Sequence, residues 1–274
     1  MRTIAYLGPE HTNTHLAAKA MFSGARFIHA PTVEDVFRLV ERRQADYGVV
    51  PIENSLEGAV THTLDRFIDF VDTPITIYGE AEQPIHHCLI VHPGVKPANI
   101  RVVYSHPQAL AQCHQWLMER LPHANRRETN STADAINYLL GDKNPKTRAA
   151  IGRRELARQH RLSAVAIPDQ RDNKTRFLII GLGQPKPGRR SKTSLLLALK
   201  DKPGALHDVL MPFKRHRINL TKIESRPSKR KAWEYLFFID FEGHVSEPRV
   251  KRALQSLERS TTLLRVLGSY PMTT

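Results

Sequence analysis

Polar side chains suited to hydrogen bonding and proton delivery cluster where predicted strands of the N-terminal region end. Glu53, Asn54 and Ser55 follow a strand predicted over Tyr47–Ile52 and precede a helix predicted to begin near Gly58. Open α/β sheets bind ligands at the carboxyl ends of their strands, and the free N–H groups of a helix start accept carboxylates. Glu53 is the one acid of this cluster that could deliver a proton. Capping of the following helix by Asn54 or Ser55 is an equally good interpretation.

A second polar cluster occupies the corresponding junction further along the chain. Ser105, His106 and Gln108 follow a strand predicted over Arg101–Tyr104, and Pro107 suits the first turn of a helix. The Gln108 amide can hydrogen-bond a carboxylate or a hydroxyl group. The two clusters therefore predict ligand-binding groups at equivalent places in two structural units.

Thr175 begins a third polar segment, at the start of a strand predicted to end at Ile180. Its hydroxyl can donate to an oxygen atom of a ligand, but a β-branched residue at this place favours a structural role from spacing alone. The Arg176 guanidinium suits bidentate binding of a carboxylate. Strand alternation points Arg176 away from Thr175 and Phe177, so a structural ion pair is an equal alternative. Phe177 either walls a substrate ring or belongs to the core.

A metal site is not expected. The nearest candidate group is His86, His87, Cys88 and His92, which lies on an extended segment. Neighbouring side chains on a strand point to opposite faces, so these four do not converge on one ion. No cofactor is expected either.

Alternating strands and helices position these groups. Over the first 180 residues they form two α/β series, which predict two lobes built on largely parallel sheets. Predicted helices in this region are Thr12–Phe22, Val33–Arg43, Gly58–Phe70, Pro107–Leu121, Ala133–Leu140 and Arg153–His160. Thr32 is a predicted N-cap, with Asp35 three residues later. We expect the chain to cross between the lobes near Gly79–Pro84 and again near Asp172–Thr175, which places Thr175 at the cleft.

The pattern changes after a Pro/Gly-rich segment at Gln184–Ser191. Beyond it the predicted order is βαββαβ, which is the ferredoxin-like arrangement. The expected organisation is a two-lobed region over residues 1–181, a linker over 182–191 and a smaller α/β domain over 192–274.

Composition excludes several classes of protein. The chain has 274 residues, of which 25% are charged and 41% hydrophobic, so it is not a disordered protein. No apolar run approaches the ~18 residues of a membrane span, and the N-terminus has no signal-peptide pattern. Two cysteines are too few for a disulfide scaffold and fit a reducing cytoplasm. The net charge of +14 is spread over many segments outside any nucleic-acid-binding motif, so we expect neither a nucleic-acid nor a membrane partner.

Several of these segments together resemble the prephenate dehydratase family. In the first region they are Tyr6-Leu7-Gly8-Pro9-Glu10, Gly48-Val49-Val50-Pro51-Ile52-Glu53-Asn54-Ser55-Leu56-Glu57-Gly58, Tyr104-Ser105-His106-Pro107-Gln108-Ala109-Leu110 and Asn173-Lys174-Thr175-Arg176-Phe177. The second region resembles the ACT regulatory domain of that family. Its segments are Lys202-Pro203-Gly204-Ala205-Leu206, Ile223-Glu224-Ser225-Arg226-Pro227 and Leu267-Gly268-Ser269-Tyr270-Pro271. No chorismate mutase segment precedes Met1, so the monofunctional form is expected.

The resemblance implies conversion of prephenate to phenylpyruvate, water and CO₂, in a two-lobed region similar in architecture to periplasmic binding proteins. It gives Thr175 the essential role. The residues expected in catalysis are Thr175, Glu53, Asn54 and Gln108. Those expected to bind substrate are Thr12, Ser55, Ser105, His106, Arg176 and Phe177. Losing CO₂ and hydroxide forms an aromatic ring, so the reaction needs hydrogen bonds and an acid rather than a nucleophile.

The resemblance also implies regulation by phenylalanine, bound between paired ACT domains. The residues expected to bind it are Gly204, Ala205, Leu206, Glu224, Ser225, Arg226 and Pro227. We therefore expect a homodimer or homotetramer. Read without the resemblance, these segments are a tight strand-to-helix loop and an edge strand that ends at Pro227.

One loop departs from the family pattern. After Gly8-Pro9-Glu10 the family usually has Gly, then Thr or Ser, an aromatic residue and Ser, whereas this chain has His11, Thr12, Asn13 and Thr14. A glycine in such a place often adopts a positive φ angle. This departure keeps two alternatives open: an arogenate dehydratase, with the same chemistry on an amino-acid substrate, and an amino-acid-binding regulatory protein that has lost turnover.

Overall fold

The computed structural model describes residues 1–168, 172–228 and 234–272. The first lobe is a mixed sheet in the order β2-β1-β3-β11-β5, with a short β4 paired to β3. Its elements are β1 (Thr3–Leu7), α1 (Asn13–Met21), β2 (Arg26–Ala30), α2 (Val33–Glu41), β3 (Tyr47–Asn54), β4 (Gly58–Ala59), α3 (Thr61–Asp69), β5 (Ile75–Pro84) and β11 (Lys174–Leu182). The expected cap of α2 is confirmed, since the Thr32 hydroxyl accepts the Asp35 N–H at 3.1 Å.

The second lobe is a five-stranded sheet in the order β10-β6-β9-β7-β8. Its elements are β6 (Cys88–Val91), β7 (Val102–Ser105), α4 (Pro107–Gln112), α5 (His114–Arg120), β8 (Asn125–Glu128), α6 (Thr132–Gly141), β9 (Arg148–Gly152), α7 (Arg154–Gln159) and β10 (Ser163–Ala166). The single helix predicted over Pro107–Leu121 is wrong, because it breaks into α4 and α5 at Cys113.

The prediction of largely parallel sheets is confirmed for most strands, but each lobe also has a strand that runs in the opposite direction. In the first lobe β11 runs antiparallel to both β3 and β5, and in the second lobe β6 runs antiparallel to both β9 and β10. The physical reason is the return of the chain from the second lobe, which brings β11 into the first-lobe sheet from the cleft side.

The first crossing between the lobes lies slightly later in the chain than predicted, after Pro84. The second lies slightly earlier than predicted, before Lys174. Lys174 pairs with Pro84 inside the first-lobe sheet, so β5 and β11 are both lobe strands to that point. The crossing segments are joined just beyond it, where the Ile85 N–H donates to the Asn173 carbonyl at 2.8 Å. This arrangement places Thr175 at the mouth of the cleft, as expected.

The third unit is an antiparallel sheet in the order β13-β14-β12-β15, covered on one face by two helices. Its elements are β12 (Ser191–Leu199), α8 (Ala205–Arg215), β13 (Leu220–Pro227), β14 (Tyr235–Glu242), α9 (Pro248–Ser260) and β15 (Thr261–Pro271). The predicted βαββαβ order is confirmed. Ser191, predicted in the linker, is the first residue of β12.

The other face of this third sheet packs against the first lobe. Leu236, Phe238 and Leu267 share one apolar cluster with Leu64 and Phe67 of α3. The backbones lie close together at β15, where a Cβ on Gly268 would overlap the backbone of Ile77 in β5. The two units therefore share a core. Within the described residues, no helix has the length and hydropathy needed to cross a membrane.

Candidate active site

A cleft of about 320 Å³ separates the two lobes and is lined by side chains from both. The first lobe contributes hydroxyl, amide and aromatic groups from Thr12, Asn54, Thr175 and Phe177. The second lobe contributes polar groups from His106, Gln108, Gln112 and Ser131. The lining drawn from the described residues contains no Asp, Glu, Lys or Arg side chain.

Asn54 and Thr175 form the polar centre of the first-lobe wall. They are cross-strand partners on β3 and β11, and the Asn54 Nδ2 atom donates to the Thr175 hydroxyl oxygen at 3.1 Å. The Asn54 Oδ1 atom accepts the Leu56 N–H at 3.1 Å, which settles the orientation of the amide. Because the Thr175 oxygen accepts from Asn54, its own proton is left to donate to a group in the cleft.

A chain of hydrogen bonds continues from this pair into the second lobe. Asn54 Nδ2 also donates to Asn173 Oδ1 at 2.8 Å, and Asn173 Nδ2 donates to Gln112 Oε1 at 2.9 Å. Gln112 Nε2 donates to the Glu57 carboxylate at 2.7 Å. A carboxylate only accepts, so Glu57 determines which end of the Gln112 amide faces the cleft.

His87 completes this chain at Gln112. Its Nε2 atom lies 2.8 Å from Gln112 Oε1, which only accepts, so Nε2 carries the proton. Burial lowers the pKa of His87, although the Gln112 hydrogen bond acts in the opposite direction. The ring is therefore a neutral donor near pH 7.

The sequence interpretation missed Asn173, Gln112 and His87 as members of the site. Asn173 stands two residues before Thr175, and Gln112 stands one helical turn after Gln108, so their spacing carried a signal. The sequence pattern suggests His87 only as a member of a possible metal-binding group, together with His86, Cys88 and His92. Among the described residues, no three His, Cys, Asp or Glu side chains converge as a metal site requires.

Helix starts provide the positive potential of the cleft. Thr12 and Ser131 are the N-caps of α1 and α6, and their hydroxyls accept the N–H groups of His15 and Asp134 at 3.3 and 3.0 Å. His106 caps α4 in the same way, because its Nδ1 atom accepts the Gln108 N–H. The ring proton is therefore on Nε2, which takes no part in the cap. Partial positive charge at helix starts stabilises anions without a lysine or arginine.

Glu53 and Arg176 are not brought to the cleft. They form the cross-strand pair next to Asn54 and Thr175, so their side chains face the opposite side of the sheet. Arg176 Nη1 lies 2.9 Å from Glu53 Oε2, and Arg176 also pairs with Glu82 at 3.2 Å. The ion-pair interpretation of Arg176 is therefore correct in this structure, and the carboxylate-binding one is not.

Two predicted substrate ligands serve the backbone instead. Ser105 is fully buried, and its hydroxyl donates to the Ile151 carbonyl at 2.9 Å. The Ser55 hydroxyl donates to the Asp172 carbonyl and accepts the Lys174 N–H, each at 3.0 Å. The alternative that Asn54 or Ser55 caps the next helix is wrong, because α3 begins only at Thr61.

The loop that departs from the family pattern has the backbone expected of a glycine position. His11 has a φ of +65°, and its N–H donates to His15 Nδ1 at 2.8 Å. The His15 ring stacks on Tyr6 with centroids 4.6 Å apart, and burial lowers the pKa of His15. On the other side of the cleft, Gln159 Nε2 lies 3.4 Å from His11 Nε2.

The predicted regulatory segments lie at one helix start and on one edge strand. Gly204 adopts a φ of +78° before α8, which Ala205 and Leu206 begin. On β13, Glu224 and Arg226 face inward whereas Ser225 and Pro227 are exposed. The Arg226 guanidinium lies 2.9 Å from Asp65 of α3, so it contacts the first lobe.

Comparison with known proteins gives the family. The prephenate dehydratase family profile matches residues 4–185, and the ACT domain profile matches residues 193–259. Thus the chain belongs to the prephenate dehydratase family and carries an ACT domain. The family and fold class expected from the motifs are confirmed.

Individual relatives agree over nearly the whole chain. The bifunctional chorismate mutase/prephenate dehydratase of Aquifex aeolicus is 46% identical over 98% of this chain and 73% of its own length. The prephenate dehydratase of Methanocaldococcus jannaschii is 38% identical over 99% of this chain and 98% of its own. The crystal structure of an Arthrobacter aurescens prephenate dehydratase in complex with L-Phe superimposes with a TM-score of 0.88 at 35% identity, covering 98% of this chain and 89% of the other.

Proposed function

We propose that this chain catalyses the decarboxylating dehydration of prephenate to phenylpyruvate, water and CO₂. The bond to the ring carboxylate breaks, its electron pair enters the ring, and the ring hydroxyl leaves with a proton as water. The observation that carries the proposal is the Asn54–Thr175 pair, whose hydroxyl proton is free to donate to the departing oxygen. A threonine hydroxyl is a weak acid, so Thr175 stabilises the leaving oxygen by a hydrogen bond and solvent supplies the proton.

The charge of the cleft fits a dianionic substrate. Helix starts capped by Thr12 and Ser131, together with the His106 ring, face the two carboxylates. Phe177 and Pro51 provide an apolar wall for the ring. Arogenate carries an ammonium group, and the described lining offers that group no carboxylate partner, which favours prephenate.

We also assign phenylalanine binding to Gly204–Leu206 and Glu224–Pro227 of paired ACT domains, and a homodimer or homotetramer follows from that pairing. Support comes from the ACT profile match and from the L-Phe complex of the Arthrobacter aurescens relative. The two cysteines, Cys88 and Cys113, are both buried, and so few cysteines fit a cytoplasmic location.

The test is turnover by the purified full-length chain. Incubation with prephenate is expected to produce phenylpyruvate, measured by its absorbance in alkali, and arogenate in a parallel reaction is expected to give little phenylalanine. Binding of prephenate without turnover would instead support a regulatory protein. Faster turnover of arogenate would overturn the substrate assignment.

Regulation is tested by adding phenylalanine and by replacing Ser225 with tryptophan. Ser225 is exposed, so the larger side chain is not expected to disturb the core of the single chain. Loss of inhibition with retained turnover would support the assigned site. Inhibition that is purely competitive with prephenate and survives Ser225→Trp would place phenylalanine in the cleft.

A further inference from the structure

Strands β3 and β11 carry Asn54 and Thr175 on the face that lines the cleft. Their other face carries charged side chains and faces the ACT domain. Thr175 and Asn54 form one cross-strand pair of β11 and β3, and Arg176 and Glu53 form the next. Successive pairs of a sheet point to opposite faces. Arg176 follows Thr175 in the chain, and Glu53 precedes Asn54. A displacement of the Arg176–Glu53 pair is therefore transmitted through the backbone to Thr175 and Asn54.

Lys222 of β13 brings a charge from the ACT domain to this charged face. Its side chain is only 12% exposed, and Nζ lies 3.8 Å from Glu53 Oε2. At that distance it attracts Glu53, but it makes no hydrogen bond to any residue in the described part of the chain. A buried ammonium without hydrogen bonds is costly, so a small movement of β13 changes its free energy substantially.

The space around Lys222 permits such a movement. A cavity of about 20 Å³ lies between the catalytic sheet and the ACT sheet, lined in part by Glu53, Arg176, Lys222 and Asp240. This volume holds about one water molecule. Lys192, the neighbouring cation, is tightly held by comparison, since its Nζ lies 2.8 Å from both carboxylate oxygens of Glu80.

Lys222 also lies on the strand assigned to phenylalanine binding. It stands two residues before Glu224, and both side chains face the inner side of β13. Ordering of Glu224–Pro227 around a ligand would therefore shift Lys222 relative to Glu53. The shift reaches the catalytic pair through one contact, Lys222 to Glu53, and one peptide bond, Glu53 to Asn54.

We propose that Lys222 is a positioning residue that couples the ACT domain to Thr175 through the Glu53–Arg176 pair. The inference rests on the proposed regulation by phenylalanine and names the contact that transmits it. Phenylalanine changes turnover only if it binds one placement of β13 more tightly than the other. The Lys222 ammonium lies beside Glu53 in one placement of β13 and is moved away from Glu53 in the other. Its free energy therefore differs between the two placements.

The test uses Lys222→Met in the full-length chain, which removes the charge and keeps the length of the side chain. Lys222→Arg restores the charge, and Lys251→Met removes one from the exposed face of α9 as a matched control. For each variant, calorimetry gives the Kd of phenylalanine, and steady-state kinetics give kcat and KM with and without saturating phenylalanine.

We expect Lys222→Met to bind phenylalanine within about threefold of the unmodified chain and to keep kcat within about threefold without effector. Its activity at saturating phenylalanine should be at least five times higher than that of the unmodified chain. Lys222→Arg and Lys251→Met should be inhibited normally. A merely structural role would lower binding, kcat and stability together.

Normal inhibition of Lys222→Met, with the unmodified chain inhibited beside it, would overturn the coupling role and leave the proposed function standing. Loss of phenylalanine binding in Lys222→Met would also overturn it, because Lys222 would then belong to the effector site. An unmodified chain that turns over prephenate without responding to phenylalanine would overturn the proposed regulation and the coupling role together.

Discussion

Asn54 lies directly opposite Thr175 on neighbouring antiparallel strands, and its amide nitrogen is 3.1 Å from the Thr175 hydroxyl oxygen. The nitrogen is the donor because the amide oxygen already accepts the Leu56 N–H. This hydrogen bond holds the Thr175 oxygen in place and leaves its proton available to donate. A lone threonine at the start of a strand would lack this hydrogen bond.

Replacement of Thr175 by alanine is expected to lower kcat at least 100-fold, because loss of one hydrogen-bond donor to an oxygen that develops charge costs about 10²–10³-fold. The free energy of unfolding should change little, since Thr175 is only partly buried. Thr175→Ser keeps the hydroxyl and should retain most of the activity. If Thr175→Ala keeps more than about a third of the unmodified kcat, the residue is structural.

Replacement of Gln112 is expected to lower both the free energy of unfolding and kcat. Gln112→Leu leaves the Asn173 amide and the His87 Nε2–H without their acceptor, and each unsatisfied buried donor costs about 1–3 kcal/mol. Denaturant unfolding should show that loss, and kcat should fall at least tenfold as Asn54 loses its support. Gln115→Leu on the exposed face of α5 is the control, since Gln115 bonds only Glu119 in the described structure. Equal effects of the two substitutions would contradict the role of Gln112.

The sequence predicted the separation of Arg176 from Thr175 but not that of Glu53 from Asn54. The alternation of side chains along β11 is sufficient to predict that Arg176 points away from Thr175. For Glu53 and Asn54, the predicted strand ended at Ile52, whereas β3 continues to Asn54 because β11 pairs with it there. That partner is more than 100 residues away in sequence, so local patterns carry no information on where β3 ends.

The organisation of the chain was likewise predicted only where it depends on residues that are close together in sequence. The helix cap at Thr32 and the βαββαβ order depend on neighbouring residues, and both were predicted. The reversed direction of β11 and the chain from Asn54 through Asn173 to Gln112 depend on how the two crossings bring distant segments together. Motif resemblance predicts which segments form the site, but only the three-dimensional structure separates the cleft side of these segments from their ACT side.

The loop at His11 is expected to tolerate the residues that the family uses. His11→Gly removes a side chain from a φ of +65°, so the free energy of unfolding should stay the same or rise by up to about 1 kcal/mol. His114→Gly in α5, where the backbone is helical, should lower it by up to about 0.5 kcal/mol and serves as the contrast. The double variant His11→Gly with Asn13→Phe should turn over prephenate at least as fast as the unmodified chain. A sharp loss of turnover would mean that His11 and Asn13 bind a different substrate.

His87 is expected to make stability depend on pH. Its pKa is lowered in the folded chain, chiefly by burial, so below about 6.5 the unfolded chain binds a proton that the folded chain does not. Stability from this residue is complete above that pH and is lost as the pH falls towards the folded pKa. His87→Gln keeps a donor for Gln112 and cannot titrate. The difference in unfolding free energy between the two proteins should therefore shrink from pH 7.5 to about pH 5, and a constant difference would show that His87 titrates normally.

Gly268 is expected to hold the ACT sheet against the catalytic lobe. A Cβ at this position would overlap the backbone of Ile77, which cannot move without displacing β5, so Gly268→Ala should lower the free energy of unfolding by about 1–3 kcal/mol. Gly141→Ala is the matched control, because no atom of the described residues lies within 4 Å of a Cβ at the end of α6. Alanine there should leave stability unchanged or raise it. The shared core of the two units also predicts one unfolding transition for the unmodified chain and two for Gly268→Ala, as β15 separates from β5 before the lobes unfold. Equal stability of the two variants in urea, with a single transition in each, would contradict the close approach at Ile77.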